Sequence, residues 1–225
     1  MLESKRHSFG LVEVVKLASM LLGHEHFYPV FMRAVERVAE SGRVLDVGTT
    51  HKFRKEIEPF TGLFRDYIAV DFHASPAYAD LNVDIDADIR QLPLRSESFD
   101  GVLCIEVLEH VPDPSRAVSE LHRVLQPGGV MLLTVPFMLG YHGKIGDYDD
   151  FFRYTDDGLY LLLHEFKNVR VEPRGGLVYR VLVTLVPDRL SNRMFRSPVA
   201  MRLINAFDKR RATRSPAGWI VFAQK

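Results

Sequence analysis

Cysteine is almost absent: Cys104 stands alone among 225 residues. A lone thiol excludes an intramolecular disulfide and a cysteine-based zinc site within one chain, and it suits a reducing compartment. Long apolar runs are missing too, and none reaches the roughly 20 residues that a membrane-spanning helix needs. The apolar stretch 9–22 is interrupted by Glu13 and Lys16. No clean small-residue cleavage site follows it, so it does not read as a secretory leader. An excess of either charge is also lacking. The 29 basic and 29 acidic side chains balance, so no global field advertises a nucleic-acid partner. No internal repeat or low-complexity tract stands out. These absences lead us to expect a cytoplasmic protein. Apolar residues make up 47% and charged residues 26%, the usage of a chain that buries one sizeable core without cross-links.

What is present alternates between two periodicities. Residues 9–40 keep helical spacing through Leu11, Val14, Val15, Ala18, Leu21 and Leu22, then Phe31, Val35 and Val38. Short apolar strands follow at 43–47, 66–70, 83–87, 99–105 and 130–135, with a helix at 115–125 stopped by Pro127-Gly128-Gly129. Thr155 is placed to cap a helix whose first turn holds Asp156 and Asp157 and which runs to about Phe166. Two more strands are expected at 168–172 and 218–223, with Trp219 and Phe222 on opposite faces of the last. Strands alternating with helices predict an α/β fold built on a mostly parallel sheet. We expect a single domain, 1–225: a helical cap (1–42), a core (43–174), a basic and apolar helical insert (175–216) and the last strand (217–225).

In such sheets ligands bind at the carboxyl ends of the strands. Asp46 and Gly48 end the first strand, and the glycine lets the backbone approach a ligand closely. Asp71 ends the second strand, with Phe72 beside it. A carboxylate there has acceptor capacity for both hydroxyls of a ribose. Asp88 and the amide of Ile89, just past the third strand, are placed to read an adenine edge. Glu106 follows the fourth strand.

Several motifs in order then carry a family resemblance. Val44-Leu45-Asp46-Val47-Gly48 resembles the first cofactor motif of class I methyltransferases that use S-adenosylmethionine (SAM). Asp71, within Ala69-Val70-Asp71, resembles their ribose-binding acid. Asp88-Ile89-Arg90-Gln91-Leu92-Pro93-Leu94, followed by Ser98-Phe99-Asp100, is similar to the adenine-side segment of the small-molecule, type 11-like subgroup. Glu106-Val107-Leu108-Glu109-His110-Val111 and Leu121-His122-Arg123-Val124-Leu125-Gln126-Pro127-Gly128-Gly129 resemble the two signatures that follow. Asp150-Phe151-Phe152-Arg153-Tyr154-Thr155 is similar to a loop of members associated with sugar, polysaccharide or natural-product pathways. The resemblance covers about 43–172 plus the last strand. It implies a Rossmann-like, seven-stranded sheet with the last strand antiparallel, and SAM as cofactor, released as S-adenosylhomocysteine. One departure stands out: beyond Gly48 the usual glycines are replaced by Thr49-Thr50-His51-Lys52-Phe53. Side chains at Thr49 and Thr50 narrow the turn, although their hydroxyls can bond the carboxylate of the methionine part.

The acceptor is expected on the loop after the fifth strand, where His110, Tyr141, His142, Asp150 and Arg153 gather. His142 is the candidate general base. Glu109-His110 reads as a helix-entrance signature, and Asp150 with Arg153 as an ion pair that fixes the loop. No convincing metal-ligand cluster is legible, and methyl transfer from a sulfonium requires no metal. The expected partner is a small-molecule acceptor, sugar-, lipid- or natural-product-linked. An inactive methyltransferase-fold scaffold is the alternative. A nucleic-acid methyltransferase is disfavoured, because Ile105-Glu106-Val107-Leu108 stands where amino-directed enzymes carry an Asn- or Asp-Pro-Pro-aromatic tetrapeptide. Arginines and aliphatic residues alternate through 177–211, a pattern open to a lid, a homodimer face or peripheral membrane contact.

Overall fold

Short runs of β-branched residues and leucine make the strands, and their pairing order positions everything else. The computed structural model describes residues 42–48, 65–72, 83–144, 148–186 and 215–225. Within them one sheet holds β1 (Arg43–Val47), β2 (Asp66–Asp71), β3 (Ile85–Asp86), β4 (Phe99–Ile105), β5 (Leu125–Pro136), β6 (Lys167–Arg174) and β7 (Gly218–Gln224). The spatial order is β3-β2-β1-β4-β5-β7-β6. β1 runs parallel to β2 and β4, β2 to β3, and β4 to β5, whereas β7 lies antiparallel to both β5 and β6. The expected α/β architecture, with its antiparallel last strand, is the one observed.

Register explains the core. A row of side chains crosses the sheet from Val70 through Val47, Cys104, Leu133 and Val221 to Val171. Onto this face α1 (Pro114–Val124) lays Ala117, Val118, Leu121 and Val124, and α2 (Asp156–Leu162) lays Leu159. Full burial of one leucine such as Leu121 contributes about 1.5–3 kcal/mol. α1 starts where Pro114 follows Asp113, whose carboxylate accepts the Arg116 amide at 3.1 Å. Thr155 caps α2 as expected, its hydroxyl oxygen accepting the Gly158 amide at 3.0 Å. The opposite face carries Val44, Asp46, Ala69, Leu103, Leu132 and Thr134, all buried.

Several boundaries differ from expectation for local reasons. Pro127-Gly128-Gly129 does not stop α1, which ends at Val124, and instead lies inside β5. Leu125 already takes an extended backbone and pairs with Phe99. Gly128 and Gly129 then exchange backbone hydrogen bonds with Lys225, each at 3.0 Å. A neighbouring strand has recruited a segment whose composition alone suggests a turn. β3 shrinks to two residues, and just before it Asp84 holds Ala69 twice, its amide donating to the carbonyl at 3.0 Å and its carboxylate accepting the amide at 2.8 Å. β2 extends to Asp71 and β6 spans Lys167–Arg174, both longer than expected, while α2 ends at Leu162 and leaves Leu163 and Phe166 to reach the core from a turn.

The cap expected over 9–40 lies outside the described residues, as does 187–214 of the insert. The insert's described beginning is helical: α3 (Leu177–Leu185). No helix among the described residues is long and apolar enough to cross a membrane.

Trp219 and Phe222 are buried on opposite faces of β7, and the Trp219 indole N–H donates to the Tyr154 carbonyl at 2.8 Å. We expect Trp219→Ala to cost about 3–5 kcal/mol in urea unfolding, from cavity and lost transfer energy together. Trp219→Phe should cost less, since it keeps much of the packing and forfeits the hydrogen bond.

Candidate active site at the strand ends

The chain steps outward from β1 to β2 to β3, then returns to place β4 on the other side of β1. In sheets of this strand order the ligand crevice lies outside the carboxyl ends of the strands at the switch point, here β1 and β4. Gly48 sits at its lip with φ +72, and its amide donates to the Val70 carbonyl at 2.9 Å. A Cβ at this position would collide with a Val107 methyl, so the turn fits only a glycine. Asp71 ends β2, and its carboxylate accepts the Phe72 amide at 2.7 Å; the Phe72 ring is exposed. Asp46 is fully buried and receives the Tyr67 hydroxyl, which braces β1 against β2. Asp88 is gripped by Arg90 through the backbone amide at 2.8 Å and the guanidinium at 2.6 Å, which holds its carboxyl below the usual range. Ile89 next to it is buried. Thr49 lies outside the described residues.

Glu106 is the first residue past β4 and takes φ +55, an uncommon backbone for a side-chain-bearing residue. Its amide donates to the Thr134 carbonyl at 3.0 Å, and its carboxylate meets Arg174, at the end of β6, at 2.9 Å. A 3-10 turn, Leu108–His110, follows. It points the Glu109 carboxylate into the interior with no exposed surface.

The loop after β5 folds back over that turn. Phe151 and Phe152 donate their amides to the Glu109 carbonyl at 2.7 and 3.3 Å. The Tyr154 hydroxyl donates to the Leu108 carbonyl at 2.8 Å. Asp150 is ion-paired with Arg153 and also accepts the His142 amide at 2.9 Å, and these contacts lower its carboxyl to about 2. Arg153 further donates to the carbonyls of Leu139 and Gly140 at 3.1 and 2.7 Å. His142 Nε2 stands 3.3 Å from Glu109 Oε1. Burial pushes the Glu109 carboxyl up to about 7 against the pull of His142, while the bond to Glu109 raises His142. Tyr141 projects into solvent.

Comparison with known proteins fits this geometry. Residues 45–133 match the family model described as a methyltransferase domain. Over 110 residues the chain is 35% identical to the ubiquinone biosynthesis O-methyltransferase of Pseudomonas entomophila, covering 44% of this chain and 47% of that protein. An uncharacterized methyltransferase of Mycobacterium sp. (strain KMS) is 34% identical over 119 residues, covering 51% and 46%. The core of this chain is thus similar to a methyltransferase domain over 45–133. In fold it is similar to a SAM-dependent methyltransferase from Archaeoglobus fulgidus, with a TM-score of 0.58 at 18% identity over 96% of this chain and 95% of that one. The chain spans about half the length of the curated relatives it matches.

Gly48 follows β1 and Glu106 follows β4, Asp71 ends β2 with Phe72 next to it, and Asp88 and Ile89 follow β3. Asp46 packs on the sheet's second face, where its described contact is structural. His110, in the turn after β4, lies against His142 of the loop, and Asp150 and Arg153 form an ion pair within that loop. Sequence reasoning passed over two participants. Glu109 was legible only as half of a helix-entrance signature, because nothing in the sequence says which of two acids three apart turns inward. Arg174 carried no signal, since its meeting with Glu106 depends on β6 and β4 reaching the same end of the sheet.

The Asp150 carboxylate is the partner of the His142 amide. Asp150→Ala should therefore raise hydrogen exchange at that amide at least tenfold, with core amides such as Leu133 unchanged. Equal protection in the variant would show that the ion pair does not order the loop.

Proposed function

We propose that the chain transfers the methyl group of SAM to a hydroxyl of a small-molecule acceptor bound beneath the loop 138–154. The observation that carries this reading is the meeting of two features: the sheet's switch point, where Gly48 at the end of β1 packs on Val107 after β4, and a polar loop cluster on Glu109. The sulfonium already makes the methyl group a good electrophile. What the protein adds is alignment of acceptor oxygen and methyl carbon, with water excluded. An acceptor hydroxyl gives up its proton as the new O–C bond forms. The neighbouring His142 imidazole, backed by the Glu109 carboxylate, is the group suited to receive it. The name of the Pseudomonas relative supports oxygen as the accepting atom. Met138, Tyr141, Phe151 and Phe152 offer exposed apolar surface on the same loop, which suits an acceptor with an apolar portion.

Calorimetric titration with SAM and with S-adenosylhomocysteine tests the cofactor half. We expect micromolar binding of both, about −8 kcal/mol. Asp71→Ala should weaken it at least tenfold while the melting temperature holds, because the ribose hydroxyls lose their acceptor. Unchanged affinity in that variant would remove Asp71 from the cofactor site. Release of S-adenosylhomocysteine across a panel of hydroxylated acceptors tests the transfer itself. Folded protein that binds neither molecule would favour the scaffold reading, in which Thr49 and Thr50 close the methionine end of the crevice.

A further inference from the structure

Three side chains converge where the 3-10 turn meets the loop. Glu109, His110 and His142 each offer one ligand atom, and these atoms all lie within 4.8 Å of one another. Glu109 Oε1 is 3.3 Å from His142 Nε2 and 3.8 Å from His110 Nε2. Ligands about 2.1 Å from one tetrahedral ion stand about 3.4 Å apart, so these separations bracket the edge of such a site.

Each ring is also oriented from behind. His110 Nδ1 contacts the Asp149 carbonyl at 2.6 Å, an arrangement that puts the proton on Nδ1 and leaves the Nε2 lone pair facing Glu109. His142 Nδ1 faces the Gly140 carbonyl, an Asp150 oxygen and an Arg153 guanidinium nitrogen, each at 3.4 Å, and its Nε2 is turned toward Glu109. A carbonyl or carboxylate behind each imidazole is the support that metal-binding histidines use.

Charge is the third observation. Glu109 is fully buried, and its Oε2 has no hydrogen-bond partner among the described residues. The two arginines of this region are committed elsewhere, Arg153 to Asp150 and Arg174 to Glu106. A carboxylate buried without a fixed cation is costly. A dication at the focus of the three ligands would supply the missing charge.

We propose that Glu109, His110 and His142 form a binding site for a divalent first-row transition metal, with zinc as its natural probe. Two imidazoles and one carboxylate are borderline donors suited to zinc and leave one position open. The site goes beyond the methyl-transfer reading and does not depend on it. Where the two coincide, an acceptor hydroxyl in the open position is acidified by the ion, and the proton-accepting role of His142 is no longer needed.

Zinc chloride titrated into EDTA-treated, desalted full-length protein tests the site without SAM or acceptor. We expect one equivalent bound at micromolar affinity or tighter. His142→Ala, His110→Gln and Glu109→Gln should each weaken binding at least tenfold, with metal-free melting temperatures near that of the unaltered chain. No bound zinc overturns the proposal. So does undiminished binding in the histidine variants, which would assign the ion to others of the nine histidines. Cobalt(II) bound to the unaltered chain gives a reading that needs no variant. Intense visible bands of a low-coordinate ion support the site, and the weak spectrum of the aqueous ion overturns it. Loss of methyl transfer with zinc binding intact would sink the functional proposal alone.

Discussion

Tyr154 ties the loop after β5 to the sheet. Its carbonyl receives the Trp219 indole of β7, and its hydroxyl reaches the Leu108 carbonyl in the turn after β4. One residue thus joins the antiparallel edge of the sheet to the turn that carries Glu109. Burial raises the Tyr154 hydroxyl above its ordinary pKa, so it stays a donor at any physiological pH. The amides of Phe151 and Phe152 complete the seam on the Glu109 carbonyl. A segment that would otherwise sample many conformations is held against the turn after β4, and the entropy of ordering it is met by the fold.

The electrostatics of the site follow a simple partition. Arg153 and Asp150 neutralise each other inside the loop, and Arg174 and Glu106 do so at the sheet end. Neither pair is a major source of stability, because desolvation offsets much of the attraction. Their effect is directional: they fix the His142 backbone and the Glu106 carboxylate. Among the described residues they leave Glu109 with no arginine ion pair, and its protonation is set by burial and by the histidine beside it.

The frame was legible in the sequence because each strand announces itself locally. The limits of β1 and β4 follow from the apolar runs 43–47 and 99–105, and Asp71 and Gly48 are recognisable by what a strand end needs. Failures arise where a partner overrules local preference. Pro127-Gly128-Gly129 has the composition of a turn, yet Lys225, about a hundred residues on, makes it strand. Asp84 and Asp86 signal an edge strand, but not that the Asp84 carboxylate takes the Ala69 amide in place of a backbone carbonyl. In the site, each histidine could be named but not the company it keeps. His110 and His142 are separated by a strand and a helix, and their convergence on Glu109 is a property of the sheet order.

That sheet order also dictates a sequence of events. β7 lies between β5 and β6, so two strands that precede it in the chain are held apart until it arrives. Closing so long a connection is slow relative to local pairing, because its entropy is lost before the contacts are gained. Trp219 rides on that strand and supplies the anchor for Tyr154. The seating of the segment at Tyr154 therefore depends on a strand from the far end of the described chain.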